Sequence, residues 1–390
     1  MEYTAKRYAG SGSGWERYGS MVALADRFWR GKRIFITGHS GFKGVWLSLW
    51  LQSLGAEVFG YSTSSPAAAS EGTFAVRMET FRGDICDADK LHHALIASQP
   101  DVVIHMAAQP FVRKALQDPI GTYRSNVIGT ATLLEGVRQC ESVRAVIVVT
   151  TDKVYENQDW DWAYREVDRL GGSDPYSSSK ACMEMVVRSF RDSFFSGEGA
   201  GGRRVGVASA RAGNMLGGGD WGKDRLVPDM IRSFVAGKSV VLRNPTAKRP
   251  WQFVLETLRG YLLLAEALYE DPARYSGAWN FGPGASEVRS VEWIVEKLAA
   301  AWGAEAKWDI QPGQHPQEVP MLRLDCAKAA KELSWTPVLD LAEALRMTVD
   351  WYRDFYAGKN IAETYAAQIA AYASRSSAKL EILTPAVREA

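Results

Sequence analysis

Tyr176 and Lys180 stand four apart in Tyr176-Ser-Ser-Ser-Lys180, a spacing that puts both side chains on one face of a helix. A tyrosine hydroxyl ordinarily loses its proton near pH ~10, and a nearby ammonium favours the phenolate. The pair therefore reads as a base for a substrate hydroxyl undergoing oxidation, with the lysine also free to hold a nicotinamide ribose. Upstream, Val149-Thr-Thr-Asp-Lys-Val-Tyr155 follows an apolar run and offers Thr151, Asp152 and Lys153. In an open α/β sheet, ligands sit beyond the carboxyl ends of the strands, so these three are expected to face the substrate. A plain dehydrogenation needs only a hydroxyl there. An acid and a second titratable group point to chemistry beyond hydride transfer.

Redox chemistry of this kind needs a dinucleotide. Thr37-Gly-His-Ser-Gly-Phe-Lys-Gly44 follows an apolar strand and opens a helix. Gly38 permits a tight turn, Gly41 lets backbone approach a pyrophosphate, and Gly44 allows close helix–sheet packing. The helix N-terminus offers unpaired N–H groups to the phosphates, and Phe42 and Lys43 belong to the same turn. Gly83-Asp84-Ile85 precedes a helix and resembles the adenine-contacting loop of the short-chain dehydrogenases, and Ala107, Ala108 and Gln109 end a strand where small residues let a cofactor lie close. The second strand ends in Tyr61-Ser62, without the acid that usually grips a ribose, so this position does not choose between NAD and NADP.

The elements that must position these residues alternate in type. Arg33–Thr37, Glu57–Tyr61, Val102–His105, Ala145–Thr150 and Val205–Ser209 read as strands. Helical apolar spacing covers Gly44–Leu54, a face at Leu91, Ala94, Leu95 and Ser98, then Gly129–Cys140 and Tyr176–Phe195. The strands are continuous apolar runs, as in a parallel sheet covered on both faces. The expected fold class is α/β: a Rossmann-like, doubly wound parallel sheet with a smaller, mostly helical C-terminal domain. Residues 1–24 read as a flexible N-terminal extension and 25–212 as the dinucleotide domain, rejoined by about 250–282. Residues 213–390 are expected to form most of a discontinuous substrate domain, with helices at Val227–Ala236, Thr257–Tyr269, Val291–Trp302 and Leu341–Tyr356.

A formal net charge of +1 gives no footprint for nucleic acid or an anionic membrane, and no apolar run is long enough to span a bilayer. Cys86, Cys140, Cys182 and Cys326 are widely spaced, and His92–His93 read as surface residues at a helix start. No metal site is expected. Free thiols and the lack of a signal peptide indicate the cytoplasm.

Several stretches together resemble the CDP-glucose 4,6-dehydratases, within the extended short-chain dehydrogenases. They are Gly38-His-Ser-Gly-Phe-Lys-Gly44 with Trp46, Ala107-Ala-Gln-Pro-Phe-Val-Arg113, Thr151-Asp-Lys153 with Tyr155-Glu-Asn157, and Asp174-Pro-Tyr176. Further on come Arg211-Ala-Gly-Asn214, Gly217-Gly-Gly-Asp-Trp221, Asp224-Arg-Leu-Val-Pro228, Arg243-Asn-Pro245 and Arg249-Pro-Trp-Gln252. The resemblance runs from about Phe28 to Tyr356.

It implies NAD as a bound catalyst that is reduced and reoxidised within one turnover of CDP-glucose. Tyr176, supported by Lys180, would take the proton from the carbon 4 hydroxyl. Lys153 would remove the carbon 5 proton, and Asp152, kept protonated, would donate to the departing carbon 6 hydroxyl. Arg243 and Arg249 would bind the substrate pyrophosphate with forked hydrogen bonds. Gln109, Asn214, Arg225, Leu226 and Glu318 would complete the substrate site, and a homodimer or homotetramer would form on a helix such as Gly129–Cys140 or Tyr176–Phe195. The chain departs from the family pattern at Phe253, where a His usually follows Arg-Pro-Trp-Gln, and at Gln317 in His315-Pro-Gln-Glu-Val319. Both positions are expected against the substrate nucleotide. Two alternatives stay open: a nucleotide-sugar epimerase or reductase, against which Asp152-Lys153 argues, and a dinucleotide-binding regulator without catalysis, against which the intact Thr151, Tyr176 and Lys180 argue.

Overall fold

The computed structural model describes residues 26–63, 78–198, 202–242, 244–284, 287–310 and 322–383. The extension 1–24, Arg243, Gln317 and Glu318 lie outside the described residues.

Seven strands form one parallel sheet. β1 (Arg33–Thr37), β2 (Glu57–Ser62), β3 (Glu79–Arg82), β4 (Val102–His105), β5 (Ala145–Val149) and β6 (Gly206–Ala212) are followed by two short strands, β7 (Asn214–Leu216) and β8 (Val240–Leu242). Then come β9 (Lys248–Phe253) and β10 (Gly277–Phe281), and the sheet order is β10-β6-β5-β4-β1-β2-β3. The order reverses between β1 and β4, which opens a crevice at their carboxyl ends, beside Thr37 and His105. The apolar runs of β4 and β5 are buried at every position, as the continuous pattern predicts. β3 was not legible: Glu79-Thr-Phe-Arg82 is a half-buried edge strand without an apolar run.

Each face of the sheet has its own core. One packs β-strand side chains against the helices Ala88–Ser98, Gly129–Gln139 and Pro175–Phe190. The other packs them against Phe42–Ser53, Val254–Glu270, Leu341–Tyr356 and Ile361–Leu383. Leu91, Ala94, Leu95 and Ser98 all face inward. His92 and His93 fall in the middle of that helix rather than at its start. A three-stranded sheet, in which β9 lies between β7 and β11 (Val288–Ser290), sits beyond the main sheet with a two-stranded ladder of β8 and β12 (Trp308–Ile310). The closing helix Ile361–Leu383 had no counterpart in the sequence reading. Its Tyr365, Ile369 and Tyr372 are buried in the core. Among the described residues, no helix is long and apolar enough to cross a membrane.

Candidate active site

The glycine turn between β1 and the helix Phe42–Ser53 lines a cleft of about 570 Å³. Gly38, Gly41, Phe42, Lys43, Gly44, Asp84, Ile85, Ala107, Ala108 and Arg225 all reach it. Gly38 has φ +74°, and a Cβ there would lie 2.8 Å from the Ala107 nitrogen. At Gly44 the close approach is to the turn itself rather than to the sheet: a Cβ would lie 2.4 Å from the Gly38 carbonyl oxygen. Gly41 would meet only that same carbonyl, at 3.4 Å, so its open side is available to a ligand. The helix has no side-chain cap and no acid in its first turn, which leaves its N–H groups and positive end for an anion. A dinucleotide pyrophosphate fits this cradle.

The far wall was not foreseen. Trp351, Phe355, Ile361 and Tyr365 of the last two helices line the same cleft. They clamp the loop Gly217–Gly219: a Cβ at Gly218 would enter the Trp351 ring, and Trp46 donates its indole N–H to the Gly218 carbonyl at 2.9 Å.

Hydrogen bonds fix the backbone beside the crevice. Thr130 donates its hydroxyl to the Asn126 carbonyl at 2.6 Å, so it can only accept from His105 Nε2, at 3.0 Å. His105 Nδ1 is then the acceptor from Thr37 Oγ1 at 2.7 Å, and that oxygen accepts the Met106 and Ala107 N–H groups. Burial, with the Lys180 charge nearby, lowers His105 to about 3, so it stays neutral.

Gln109 corrects an expectation. Its side chain is taken up by the Phe111 backbone and Thr122 Oγ1, and it does not reach the cleft. It shapes the turn that carries Pro110 and Phe111 to the cleft instead. Asn126, which the sequence reading missed, clips the Gln109 backbone at both its N–H and C=O and donates to Ser179 on the Tyr176 helix. It lies in a π-helical turn, Arg124–Ile128.

Thr151, Asp152, Lys153, Tyr176 and Lys180 come together. Asp174 caps the helix Pro175–Phe190 by accepting the N–H groups of Tyr176 and Ser177, and Pro175 occupies its first turn. Thr151 starts a single turn, Asp152–Val154, and its hydroxyl lies 3.0 Å from Asp152 Oδ1. Lys180 Nζ donates to the Val149 carbonyl at 3.2 Å. Burial raises the Tyr176 phenol, and the Lys153 charge and a hydrogen bond with Thr151 only partly offset it. An ammonium beside the phenol thus favours the phenolate as expected, and desolvation of the phenolate is the larger effect. Burial also lowers Lys180, to about 8, against the opposing charge of Glu184.

Positive charge converges on the cleft. Burial, then the charges of Lys180 and Arg225, bring Lys43 down to about 7. Arg225 Nη1 contacts both oxygens of Asp220, at 2.9 and 2.8 Å, and the guanidinium lies over the Phe111 ring. Asn214 is half-buried on β7, Leu226 opens the helix Leu226–Val235, and Arg249 sits on β9 opposite Arg289 of β11. None of these three lines the cleft. Phe253 corrects a second expectation: it is buried in the core, edge-on to Trp46 at 5.9 Å, so the missing histidine there is a packing change.

A model of the family described as GDP-mannose 4,6 dehydratase matches residues 35–348. A CDP-glucose 4,6-dehydratase from Salmonella typhimurium is 46% identical over 87% of this chain and 95% of its own. A dTDP-glucose 4,6-dehydratase from Streptomyces griseus is 30% identical over 73% of this chain and 80% of its own. Among solved structures, DesIV, a dTDP-glucose 4,6-dehydratase from Streptomyces venezuelae with NAD and TYD bound, superposes with a TM-score of 0.66 at 23% identity, covering 85% of this chain and 99% of that one. A UDP-glucose 4-epimerase from Stenotrophomonas maltophila with bound NAD gives 0.72 at 22% identity, covering 84% and 99%. At these identities the structural likeness shows the extended short-chain dehydrogenase fold.

Proposed function

The chain belongs to the GDP-mannose 4,6 dehydratase family, and from that premise we propose that it removes water from CDP-glucose to give CDP-4-dehydro-6-deoxyglucose, with NAD as its cofactor. One observation carries the reaction type: a carboxyl and an amine, Asp152 and Lys153, stand beside the redox tyrosine, where an epimerase or reductase needs neither. The Salmonella relative supports the substrate.

NAD supplies, when bound, a reversible hydride acceptor, so no net redox change remains. Gly38, Gly41, Gly44 and the first turn of the helix Phe42–Ser53 would hold its pyrophosphate, with Asp84 and Ile85 at the adenine end. Tyr176 takes the proton of the carbon 4 hydroxyl, with Thr151 hydrogen-bonded to its phenol. The resulting ketone acidifies carbon 5, and Lys153 removes that proton. Asp152 gives a proton to the hydroxyl leaving carbon 6 as water; carbon 6 then takes back the hydride lost from carbon 4, and Lys153 returns a proton to carbon 5. Lys180, tethered to the end of β5, keeps a positive charge below the site, and Lys43 and Arg225 balance the phosphates.

The domain division, 25–212 against 213–390, belongs to this proposal, and the pairing of β10 with β6 supports a discontinuous boundary. So does a homodimer. Leu116, Ile120, Ile128 and Met185 are exposed at 54% or more on elements that pack together around the helix Pro175–Phe190, an apolar face suited to a second copy. Cys86, Cys140, Cys182 and Cys326 are free thiols, which supports the cytoplasm.

The test is turnover of a panel of CDP-, dTDP-, UDP- and GDP-hexoses. A 4-keto-6-deoxy product, read by its absorbance in alkali, is expected from CDP-glucose and from none of the others at comparable rate. A changed hexose without a keto signal would instead establish epimerisation.

A further inference from the structure

We propose that Glu184 and Arg211 are positioning residues for this reaction: their buried ion pair locks the turn that carries Thr151, Asp152 and Lys153 against the helix that carries Tyr176 and Lys180. The inference rests on the functional reading above.

Both side chains are almost fully buried. Glu184 follows Lys180 by one helical turn, on the same face. Its carboxylate accepts four hydrogen bonds, the number its lone pairs allow. Arg211 supplies two in a fork, Nε to Oε1 at 2.9 Å and Nη2 to Oε2 at 3.0 Å. Thr150 Oγ1 supplies a third at 2.6 Å, and Ser209 Oγ the fourth. The remaining guanidinium nitrogen, Nη1, donates to Tyr155 OH at 2.7 Å and to the Glu166 carbonyl at 3.1 Å. Tyr155 in turn donates to Asn280 Oδ1 on β10 at 2.8 Å.

The consequence is geometric. Thr150 and Tyr155 bracket the turn Thr151–Val154, and both are fastened to the one charge pair. Arg211 belongs to β6, which runs on through Gly213, where a Cβ would lie 2.8 Å from Asp152 Oδ2, to Asn214. The helix with Tyr176 and Lys180 enters the same knot through Glu184. The acid, the amine, the phenol and the lysine thus hang from separate elements that meet at one carboxylate. Burial pushes that carboxyl upward, but the Arg211 charge and the hydrogen bonds from Arg211, Ser209 and Thr150 together more than offset it and the net shift is downward, so Glu184 stays ionised. Glu184 on its own helix is the charged group that acts on Lys180, whose own charge bears on Lys43 of the glycine turn and on His105 of β4, which is neutral.

The experiment is the pH profile of keto-sugar formation from CDP-glucose by the NAD-loaded full chain and its Glu184→Gln variant. Glutamine keeps the shape and removes the charge that favours the Lys180 ammonium. The expected result is a kcat lower by about 10- to 100-fold, and a basic limb moved about one pH unit lower. KM for CDP-glucose should stay within about threefold, because neither residue lines the cleft. A kcat that falls while the limb stays in place makes the pair merely structural and overturns the proposal, as does an unchanged kcat. Should Glu184→Gln not fold, Thr150→Val decides: it cuts the tie between the turn and the carboxylate and leaves the charge, so a lower kcat with KM and the limb unmoved supports the proposal, and a wild-type kcat or a raised KM overturns it. A wild-type chain inactive on CDP-glucose would sink the functional reading instead, so the two failures are distinct.

Discussion

Substituting Gly213 by alanine tests the place of Asp152 without touching Asp152 itself. Gly213 does not have positive φ, so alanine meets no backbone strain. Its Cβ would lie 2.8 Å from Asp152 Oδ2, where ordinary contact begins at 3.4 Å. The carboxylate must therefore give way by about half an ångström. The obstacle is the end of a side chain rather than backbone, so the fold absorbs it at a cost of about 1 kcal/mol. The Thr151 hydroxyl, 3.0 Å from the other carboxylate oxygen, has to follow. A misplacement of ~1 Å in a catalytic site costs about 100-fold, so half of that predicts about tenfold. The loss falls on the step that needs the acid. In rapid mixing with CDP-glucose, nicotinamide absorbance should report a first oxidation at the wild-type rate. Quenched samples should show keto-deoxy product forming about tenfold more slowly. A folded variant in which both steps keep wild-type rates would refute the assignment of the acid. One in which both slow equally would show that the contact governs the whole turn rather than Asp152.

Three other outcomes follow from the same geometry. Gly44→Ala drives a Cβ into the Gly38 and His39 carbonyls, which are backbone and cannot yield; it should lower stability by about 1–3 kcal/mol and abolish saturable NAD binding in calorimetry, and normal affinity would show that the turn does not hold the pyrophosphate. Lys43, at about 7 in the free chain, regains its proton when an anion binds beside it, so NAD affinity should fall as pH rises through that value. Titrations in two buffers of different ionisation heat should show proton uptake that Lys43→Met reduces, and equal uptake by both would remove Lys43 from the site. Phe253→His, which restores the residue usual in the family, should cost roughly 1–2 kcal/mol of packing against Trp46 in a denaturant melt and leave KM for CDP-glucose unchanged; a changed KM would return that position to the nucleotide pocket.

What the sequence made legible was local. The apolar runs at Val102–His105 and Ala145–Val149 name buried parallel strands because any residue exposed on either face would break them. The glycine turn and the Tyr176–Lys180 spacing are readable because a few consecutive residues hold the whole signal. What stayed hidden depends on partners distant in the chain. Gln109 reads as a site residue until Thr122 and Phe111 are seen to consume its amide. Phe253 reads as a lost ligand until Trp46 is found against it. Glu184 gave one faint signal, its place one turn beyond Lys180, but its Arg211 partner comes from another strand. The effect of burial on the Tyr176 phenol was hidden as well, because charges can be counted in a sequence and burial cannot.

The wall of Trp351, Phe355, Ile361 and Tyr365 has a temporal meaning as well as a spatial one. A ribosome delivers the glycine turn early, together with the strands and helices that frame it. The aromatic side of the cleft emerges only after the substrate-facing sheets have been made. Until the two closing helices dock, the loop Gly217–Gly219 lacks its clamp and the cleft lies open along one flank. Cofactor binding at the glycine turn is thereby tied to the docking of these two helices, and its binding energy would stabilise only chains in which they have docked.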